Sequence, residues 1–308
     1  MSKQRIFIDT DCGVDDATAI MLALADNEAE VVGISTVAGN TSLDNVIKNV
    51  CGILNVTGYR EIPVFRGASR GLVELRIHAE EVHGGNGLAG IDLPAGQVKE
   101  DGRMAPQGLW DTARANPGMT LVALGPLTNI AMALNLYPDL PRYLGRIVVM
   151  GGGIQHGNVT PNAEFNFYAD PEAVQVVLES PAPLTVVPWD LTLTNLTPEE
   201  EILGLGMESA PIGPFFLKLQ AHVMNFYQQM QGRRVTGHPD PLTMAYVLKP
   251  SLATRIEKGG MKMVLERGPL RGMSVLFGEG DVEVVLGLEH SGFLNLLLSL
   301  KNLEYKEN

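Results

Sequence analysis

Short apolar runs rich in β-branched residues alternate along this chain with amphipathic stretches of helical length. The clearest runs are residues 6–8, 31–37, 121–123, 147–149 and 184–187, and helical stretches follow at residues 15–25, 43–56, 127–136, 171–179 and 214–230. This order predicts successive strand–helix units on a largely parallel sheet. Because the strand runs are apolar on both faces, we expect helices to cover both sides of the sheet.

The C-terminal part of the chain has a different pattern. Residues 261–288 form strand-like runs broken by glycines, which predicts an antiparallel hairpin or meander, and residues 292–303 predict a final helix. No internal repeat or Pro/Ser-rich linker divides the sequence. We therefore expect one α/β domain over residues 1–308, with a Rossmann-like, largely parallel central sheet flanked by helices and a C-terminal antiparallel extension.

Composition narrows the range of partners. Lys and Arg number 23 against 35 Asp and Glu, so the formal charge is −12. This argues against nucleic acid, since binding to phosphates draws on basic side chains. The chain has two cysteines, no signal-peptide segment at its start, and no apolar run of the roughly 20 residues that a membrane-spanning helix needs. We expect a cytoplasmic protein without disulfides or a membrane partner, able to take a small neutral ligand.

Four carboxylates lie within eight residues directly after the first predicted strand. They are Asp9, Asp11, Asp15 and Asp16, and a helical stretch follows them. The carboxyl end of a strand in an open α/β sheet is where the ligand crevice forms. Crowded carboxylates raise one another's pKa unless a cation, a proton or a hydrogen-bond network compensates them, and an all-oxygen ligand set favours calcium or magnesium. The segment therefore predicts a site for a hard divalent cation.

Other interpretations explain less of this segment. The last two acids could complement the dipole of the following helix while the first two lie in a solvated turn, which accounts for only part of the cluster. An EF-hand loop counted from Asp9 needs Gly at its sixth position and Glu at its twelfth, where the chain has Val14 and Ile20. The aspartyl-phosphate phosphatase motif also places two Asp one residue apart after a strand, but its following Gly-Thr is missing here.

The segment 9–17, Asp-Thr-Asp-Cys-Gly-Val-Asp-Asp-Ala, resembles the N-terminal signature of the inosine-uridine nucleoside hydrolases, usually Asp-x-Asp-Pro-Gly-x-Asp-Asp-Ala. Cys12 stands where that family commonly has Pro, a departure that we expect to loosen the turn but that removes no ligand. The resemblance extends to at least Tyr246 through the motifs below. It implies the nucleoside hydrolase fold, a Ca²⁺ cofactor, hydrolysis of ribonucleosides to ribose and free base, and a homodimer or homotetramer.

By the same resemblance, separate segments supply the calcium ligands. Residues 124–129, Leu-Gly-Pro-Leu-Thr-Asn, resemble a family turn in which the carbonyl before Gly coordinates calcium, and the last carboxylate lies in Gly-His-Pro-Asp-Pro at residues 237–241. The implied metal ligands are Asp11, Asp16, the carbonyl of Leu124, and Asp240.

Further motifs resemble the family's ribose-binding segments. They are residues 36–40, which end in Gly-Asn, and residues 150–152 and 157–171. Asn amides and carboxylates suit sugar hydroxyls because they can both donate and accept hydrogen bonds in a concave site. The implied contacts are Asp15 and Asn40 at the 2′-hydroxyl or the attacking water, Asn158 and Glu164 at the 5′-hydroxyl, Asn166 at the 3′-hydroxyl, and Met150 and Phe165 along the sugar pocket. The alternative for residues 157–171 is a polar surface loop in which Asp170 starts a helix.

Two histidines are candidates for contact with the base. His83 lies in a Gly-rich loop where the family has a histidine near the base, although a histidine in such a loop can also be plain polar surface. Many family members have His directly before the last carboxylate and use it to protonate the leaving base, whereas here Pro239 intervenes. His238 is thus displaced by one residue, which leaves two alternatives, a base contact and a solvent-exposed loop histidine.

Aromatic and amide side chains before Asp240 are the remaining candidates. Tyr227 could contact the base or serve in packing, and Gln228, Gln229 and Arg233 lie in the same stretch. The tryptophans, Trp110 and Trp189, have no motif support as stacking residues, and we expect both to be core or partly buried aromatics.

The implied reaction passes through an oxocarbenium-like ribose, with Asp11 as the general base on a calcium-bound water and inversion at C1′. His83 and His238 are the candidates to assist the leaving base. Two other functions remain open at this point. A non-catalytic calcium-dependent nucleoside- or sugar-binding protein would release no free base, and an aspartyl-phosphate phosphatase would release phosphate and depend on magnesium.

Overall fold

The computed structural model describes residues 3–74, 79–94 and 96–306. Within them the strands are β1 (Gln4–Thr10), β2 (Ala29–Thr36), β3 (Val64–Arg66), β4 (Glu100–Met104), β5 (Met119–Ala123), β6 (Leu144–Met150), β7 (Leu184–Val187), β8 (Thr197–Pro198), β9 (Val235–Thr236), β10 (Ala253–Met263) and β11 (Ser274–Leu288).

The helices alternate with these strands over most of the chain. They are α1 (Val14–Ala25), α2 (Leu43–Thr57), α3 (Glu80–His83), α4 (Ala105–Ala115), α5 (Thr128–Leu136), α6 (Phe165–Ala169), α7 (Pro171–Leu178), α8 (Trp189–Thr194), α9 (Glu199–Gly204), α10 (Gly213–Gln231), α11 (Pro239–Leu248) and α12 (His290–Leu297). Short 3-10 turns occupy Leu140–Tyr143, Pro250–Leu252 and Leu298–Asn302. None of the helices in the described ranges is long and apolar enough to cross a membrane.

Nine of these strands form one sheet in the order β10-β11-β7-β6-β5-β1-β2-β3-β4. Neighbouring strands from β11 to β4 run parallel, whereas β10 runs antiparallel to β11. Strands β8 and β9 form a separate antiparallel pair. The predicted fold class, a mostly parallel sheet flanked by helices with a C-terminal antiparallel hairpin, is confirmed.

Helices cover both faces of the sheet, as the apolar strands require. Successive side chains of a strand point to opposite faces, and in β1 the side chains of Ile6 and Ile8 enter one core cluster while that of Phe7 enters the other. The first cluster includes residues of α1, α2, α10, α11 and α12, and the second includes residues of α4, α5 and α7. Burial of both strand faces removes apolar side chains from water, which stabilises the fold.

The sequence pattern missed elements at one edge of the sheet. Strand β3 has only three residues, and β4 reads Glu-Asp-Gly-Arg-Met, which is mostly exposed and has no apolar alternation. The C-terminal hairpin starts at Ala253 rather than residue 261, because its first residues are exposed and charged. The last helix ends at Leu297 and continues as a 3-10 turn to Asn302.

The carboxyl ends of the central strands meet at one edge of the sheet. Asp9 of β1 is in register with Ser35 of β2 and Ala123 of β5, and Ala123 is in register with Val149 of β6. The loops after β1, β2, β5 and β6 therefore emerge side by side, and they carry most of the candidate site residues.

Candidate active site

The turn between β1 and α1 is fixed by short hydrogen bonds to Asp16. Its carboxylate accepts from the hydroxyl of Thr10 and from the backbone N–H of Gly13 at 2.8 Å. The backbone N–H of Cys12 donates to Thr10 Oγ1 at 3.0 Å, a bond that the Pro common in the resembled family could not donate. Cys12 therefore adds a hydrogen bond to this turn rather than loosening it.

Asn40, which follows β2, connects both carboxylates of the turn. Its backbone N–H donates to Asp11 Oδ2 at 2.7 Å, and its side-chain amide donates to Asp16 Oδ2 at 3.1 Å. A Cβ on Gly39 would lie 2.1 Å from Asp11 Oδ2 and one on Gly125 would lie 2.9 Å from Oδ1. The glycines of the two neighbouring turns thus leave the space in which the Asp11 carboxylate lies.

Asp240 approaches the same place from the other end of the chain. It lies in the first turn of α11, which packs against α1. Ligand oxygens of Asp15, Asp16 and Asp240 all lie within 4.8 Å of one another. Asp11 is outside this tight group, but its buried Oδ1 has no hydrogen-bond partner. Asp15, predicted to contact substrate, is therefore also placed to act as a ligand.

Burial and mutual repulsion raise the pKa of these carboxyls. For Asp11 and Asp240 the pKa is raised well above its usual range, first by desolvation and then by neighbouring carboxylates. Desolvation also raises the pKa of Asp15 to about 6. A hard divalent cation would offset both effects. The all-oxygen donor set and the orphaned Asp11 oxygen therefore fit calcium or magnesium.

Asp9 stabilises the strand ends next to the carboxylate cluster. Its carboxylate accepts from the hydroxyl of Ser35 and from Asn129 Nδ2, the latter at 2.8 Å. Asn129 also donates to the carbonyl of Thr36 at 3.0 Å and accepts from the N–H of Ala68 at 2.8 Å. Burial raises the pKa of Asp9 to about 7. This acid holds strand ends together and is not part of the group formed by Asp15, Asp16 and Asp240.

The predicted sugar contacts lie together along the ends of β5 and β6. Asn166 Nδ2 donates to the carbonyl of Leu124 at 2.8 Å and to that of Met150 at 3.1 Å. The Leu124 carbonyl retains a second lone pair for another ligand. Asn158 Oδ1 accepts from the N–H of Phe165 at 2.8 Å, which leaves its amide nitrogen as a donor.

Glu164 has a structural role in addition to its predicted contact with the sugar. It caps α6 by accepting from the N–H groups of Asn166 and Phe167, and it also accepts from Gly152 at 2.8 Å. Despite these bonds, burial raises its pKa to about 7. Asp170 caps α7, as its alternative interpretation proposed, and binds Thr128 Oγ1 and the N–H of Leu72 as well.

His83 is buried beside the carboxylates. Its Nδ1 accepts from the N–H of Val14 at 3.3 Å and lies 3.5 Å from Asp15 Oδ1. Burial lowers its pKa to about 4, so the ring is neutral. Because Nδ1 accepts, Nε2 carries the hydrogen and can donate.

His238 does not have the solvent-exposed position that one of its two alternatives predicted. It is 1% exposed, so it is no surface histidine, and its ring packs against Phe293 at a centroid distance of 5.2 Å. Gly237, Pro239 and Asp240 line the cavity, but the His238 side chain is not part of the described lining. The reason is local: Pro239 starts α11, and the residue before it turns toward α12. Burial lowers the His238 pKa to about 3.

A cavity of about 760 Å³ connects many of these side chains. Its polar part is lined by the carboxylates of Asp15, Glu164 and Asp240, by the amides of Asn40, Asn158 and Asn166, and by His83. Its apolar part includes Phe165, Trp189, Leu193 and a stripe of α10. Such a volume and mixture of surfaces are typical of small-molecule sites.

The α10 stripe corrects the expectations for that helix. Tyr227 lines the cavity, and burial raises its pKa to about 12, whereas Gln228, Gln229 and Arg233 are exposed and outside the described lining. The α10 residues that do line it are Val223, Phe226, Tyr227, Met230 and Gln231. Their spacing is that of one helical face, so helical periodicity counted from Tyr227 was the signal that could have found them.

Trp189 and His156 were also missed. Trp189, expected to be core or partly buried, is partly buried and also lines the cavity from the start of α8. His156 lines it from the loop after β6. Neither residue belongs to a motif of the resembled family. They lie near each other because the ends of β6 and β7 are adjacent in the sheet. Trp110 is partly buried elsewhere, stacked on Tyr137.

Comparison with known proteins gives concordant matches. Residues 6–295 match the family described as inosine-uridine preferring nucleoside hydrolase. A pyrimidine-specific ribonucleoside hydrolase, RihA from Citrobacter koseri, is 35% identical over 301 residues, covering 95% of this chain and 96% of that protein. A purine-preferring ribonucleoside hydrolase from Gardnerella vaginalis superposes with a TM-score of 0.90 at 28% identity, over 97% of this chain and 98% of that one. A plant nucleoside hydrolase gives 0.91 at 28% identity, over 97% and 99%.

Proposed function

The chain belongs to the inosine-uridine preferring nucleoside hydrolase family, and on that premise we propose that it hydrolyses the N-glycosidic bond of ribonucleosides by attack of a water that Asp11 activates. The observation that carries the proposal is the convergence of carboxylates from distant segments. Asp15 and Asp16 from the start of α1 meet Asp240 from the start of α11, with the orphaned oxygen of Asp11 beside them.

The cluster is best suited to a resident Ca²⁺ ion. Asp11, Asp16, Asp240 and the Leu124 carbonyl would hold it, and Asp15 is close enough to take part. When bound, calcium would supply positive charge that polarises water and binds the ribose diol. The preference for calcium over magnesium is part of the proposal, supported by the number of carboxylate and carbonyl oxygens available.

Asp11 is the residue we assign to proton removal from the attacking water. Its Oδ2 is held by the N–H of Asn40, so Oδ1 is the oxygen that can accept a proton. The position next to acidic neighbours also favours the positive charge that develops on the ribose ring. Attack from the side opposite the base predicts inversion at C1′.

The remaining polar side chains would orient the sugar. Asp15 and Asn40 serve the 2′-hydroxyl or the water, Asn166 the 3′-hydroxyl, and Asn158 and Glu164 the 5′-hydroxyl, with Met150 and Phe165 along the ring. Positioning of this kind removes much of the entropic barrier to reaction.

His83 is the residue we assign to the leaving base. Its ring is neutral and Nε2 carries the hydrogen, so it can donate a hydrogen bond to a base nitrogen as negative charge develops there. Tyr227 and Trp189 would border the base in the apolar part of the cavity. His238, packed on Phe293, receives no role in this scheme.

A panel of ribonucleosides and 2′-deoxyribonucleosides tests the reaction and its specificity together. We expect free base and ribose from ribonucleosides, with α-ribofuranose as the first anomer seen by proton NMR, and much slower release from the deoxy compounds. Binding without base release would instead indicate a calcium-dependent binding protein, and phosphate release from a phosphorylated substrate would indicate a phosphatase. Homodimeric or homotetrameric assembly and a cytoplasmic location stay predictions.

A further inference from the structure

The wall of the cavity beside β6 and β7 contains residues that the proposed mechanism does not use. His156 belongs to the loop after β6, and its side chain lines the cavity together with Asn158 and Trp189. At 61% exposure it lies at the mouth, where it can meet a ligand without rearrangement of the core.

Asp190 holds this loop in place. Its carboxylate accepts from the backbone N–H of Ile154 at 2.7 Å and of Gln155 at 2.9 Å. The same carboxylate lies 3.3 Å from His156 Nδ1. Since Asp190 follows Trp189 in the first turn of α8, one short helix supplies both an apolar wall and the anchor of the neighbouring loop.

The contact with Asp190 favours one tautomer of the His156 imidazole. A carboxylate only accepts, so the bond forms when Nδ1 carries the hydrogen. In a neutral ring, Nε2 is then an acceptor. The anchored loop thus offers an acceptor at the cavity mouth, close in sequence to the amide donor of Asn158.

We propose that His156, oriented by Asp190, accepts a hydrogen bond from the 5′-hydroxyl of the ribonucleoside and so contributes to selection of substrates that carry this group. The inference rests on the proposed function. With the diol at the carboxylate cluster and the base against the apolar stripe of α10, the 5′-carbon points to the remaining polar wall. That wall includes His156, Asn158 and Glu164.

The experiment compares each ribonucleoside that the wild type cleaves with its 5′-deoxy counterpart. We expect His156→Ala to lower kcat/KM for the ribonucleoside by about tenfold, the effect of one hydrogen bond, while that for the 5′-deoxy compound stays nearly constant. His156→Gln, which can present an acceptor near the position of Nε2, should restore most of the selectivity. Thermal unfolding verifies that each variant folds, as the exposure of His156 predicts.

Val159→Ala is the matched control, because Val159 lines the same mouth without a polar group. Any change it causes should be equal for both substrates. Equal losses for both substrates in His156→Ala would overturn the proposal, as would unchanged rates for both.

Asp190→Asn separates a positioning role from a direct one. It should lower the selectivity for the 5′-hydroxyl in the wild type and have no further effect on selectivity in the His156→Ala background. An additive effect on selectivity in the double variant would contradict the proposed action through His156. Failure of the proposed function is distinguishable, since the wild type would then release base from no nucleoside at all.

Discussion

The backbone N–H of Asn40 donates a 2.7 Å hydrogen bond to Asp11 Oδ2, while Oδ1 of the same carboxylate is buried without a hydrogen-bond partner. A buried carboxylate oxygen is rarely left unpaired without a functional reason. The two oxygens therefore have different duties: Oδ2 fixes the orientation of the group, and Oδ1 is available to a ligand, a water or a proton.

Substitution of Asp11 should abolish catalysis but not folding. We expect Asp11→Ala to lower kcat by about 10²–10⁴-fold, the usual contribution of a general base, because it removes the unpartnered oxygen Oδ1 next to the other carboxylates of the site. Steady-state base release measures this, and circular dichroism checks the fold. Asp92→Asn is the control, since that carboxylate is exposed and forms a surface ion pair with Lys48. Base release by Asp11→Ala at a rate near that of the wild type would eliminate the assignment.

Metal-free protein should lose stability as the pH rises. The carboxyls of Asp11, Asp15 and Asp240 have pKa values raised above the 3.8 of the unfolded chain, that of Asp15 to about 6. Between about pH 4 and these raised values, the folded state binds more protons than the unfolded state, so the free energy of unfolding falls with increasing pH. Calcium should reverse the trend, because its ligands must be ionised.

Thermal unfolding at pH 5 and pH 8, with chelator and with calcium, measures this effect. We expect a lower Tm at pH 8 in chelator and a larger increase on adding calcium at pH 8 than at pH 5. Asp240→Asn should weaken the pH dependence of the metal-free protein. An identical pH dependence in wild type and variant would show that these carboxyls do not cause it.

The two buried histidines should differ in what their loss affects. His83 lines the cavity beside Asp15, so His83→Ala should lower kcat for ribonucleosides by about 10²-fold or more while stability changes little. His238 packs on Phe293, so His238→Ala should instead cost roughly 1–3 kcal/mol of stability with nearly unchanged kcat at low temperature. Steady-state kinetics and denaturant unfolding on both variants measure these effects. A loss of kcat in His238→Ala together with a loss of stability in His83→Ala would contradict both assignments.

Trp189 should contribute to substrate binding by stacking against the base. Loss of a stacking aromatic side chain costs about 1–3 kcal/mol per base, so Trp189→Ala should raise KM by roughly 5- to 150-fold with a smaller change in kcat. Trp110→Ala is matched in residue type but lies away from the cavity, stacked on Tyr137. It should reduce stability and leave KM unchanged. Equal KM values for both variants would place Trp189 outside the binding interaction.

Nucleoside 5′-phosphates should be poor substrates. The described lining of the cavity contains Asp15, Glu81, Glu164 and Asp240 but no Lys or Arg. A phosphate there would meet like charge without compensation, which costs several kcal/mol. We expect kcat/KM for a monophosphate to be at least about 100-fold below that of its nucleoside. Comparable values, measured by base release at the same ionic strength, would contradict the nucleoside preference.

The sequence predicted those parts of the fold and site that depend on local order. Strand β1, the carboxylates after it and helix α1 are contiguous, so spacing alone indicated a cation site. Asp240 was found only through resemblance, because no local pattern connects it to the start of the chain. Its meeting with Asp15 and Asp16 depends on the packing of α11 against α1.

Some side chains line the cavity because they share a helical face or because neighbouring strand ends align, and these were not predicted from the sequence. Phe226 and Met230 were missed although they share a face with Tyr227, and Trp189 was expected to be a core or partly buried aromatic. His238 was placed by its distance from Asp240 along the chain, yet the proline that begins α11 turns it toward Phe293. A displacement of one residue at a helix start changes which way a side chain points, which sequence separation does not convey.

Base release by metal-stripped protein, before and after calcium is restored, tests whether the reaction requires a hard cation. We predict that chelation, verified by elemental analysis, removes turnover of ribonucleosides, that stoichiometric calcium restores it, and that Asp11→Ala stays inactive under both conditions. Full turnover by protein verified to be free of divalent metal would contradict the central claim that the converging carboxylates act through a hard cation.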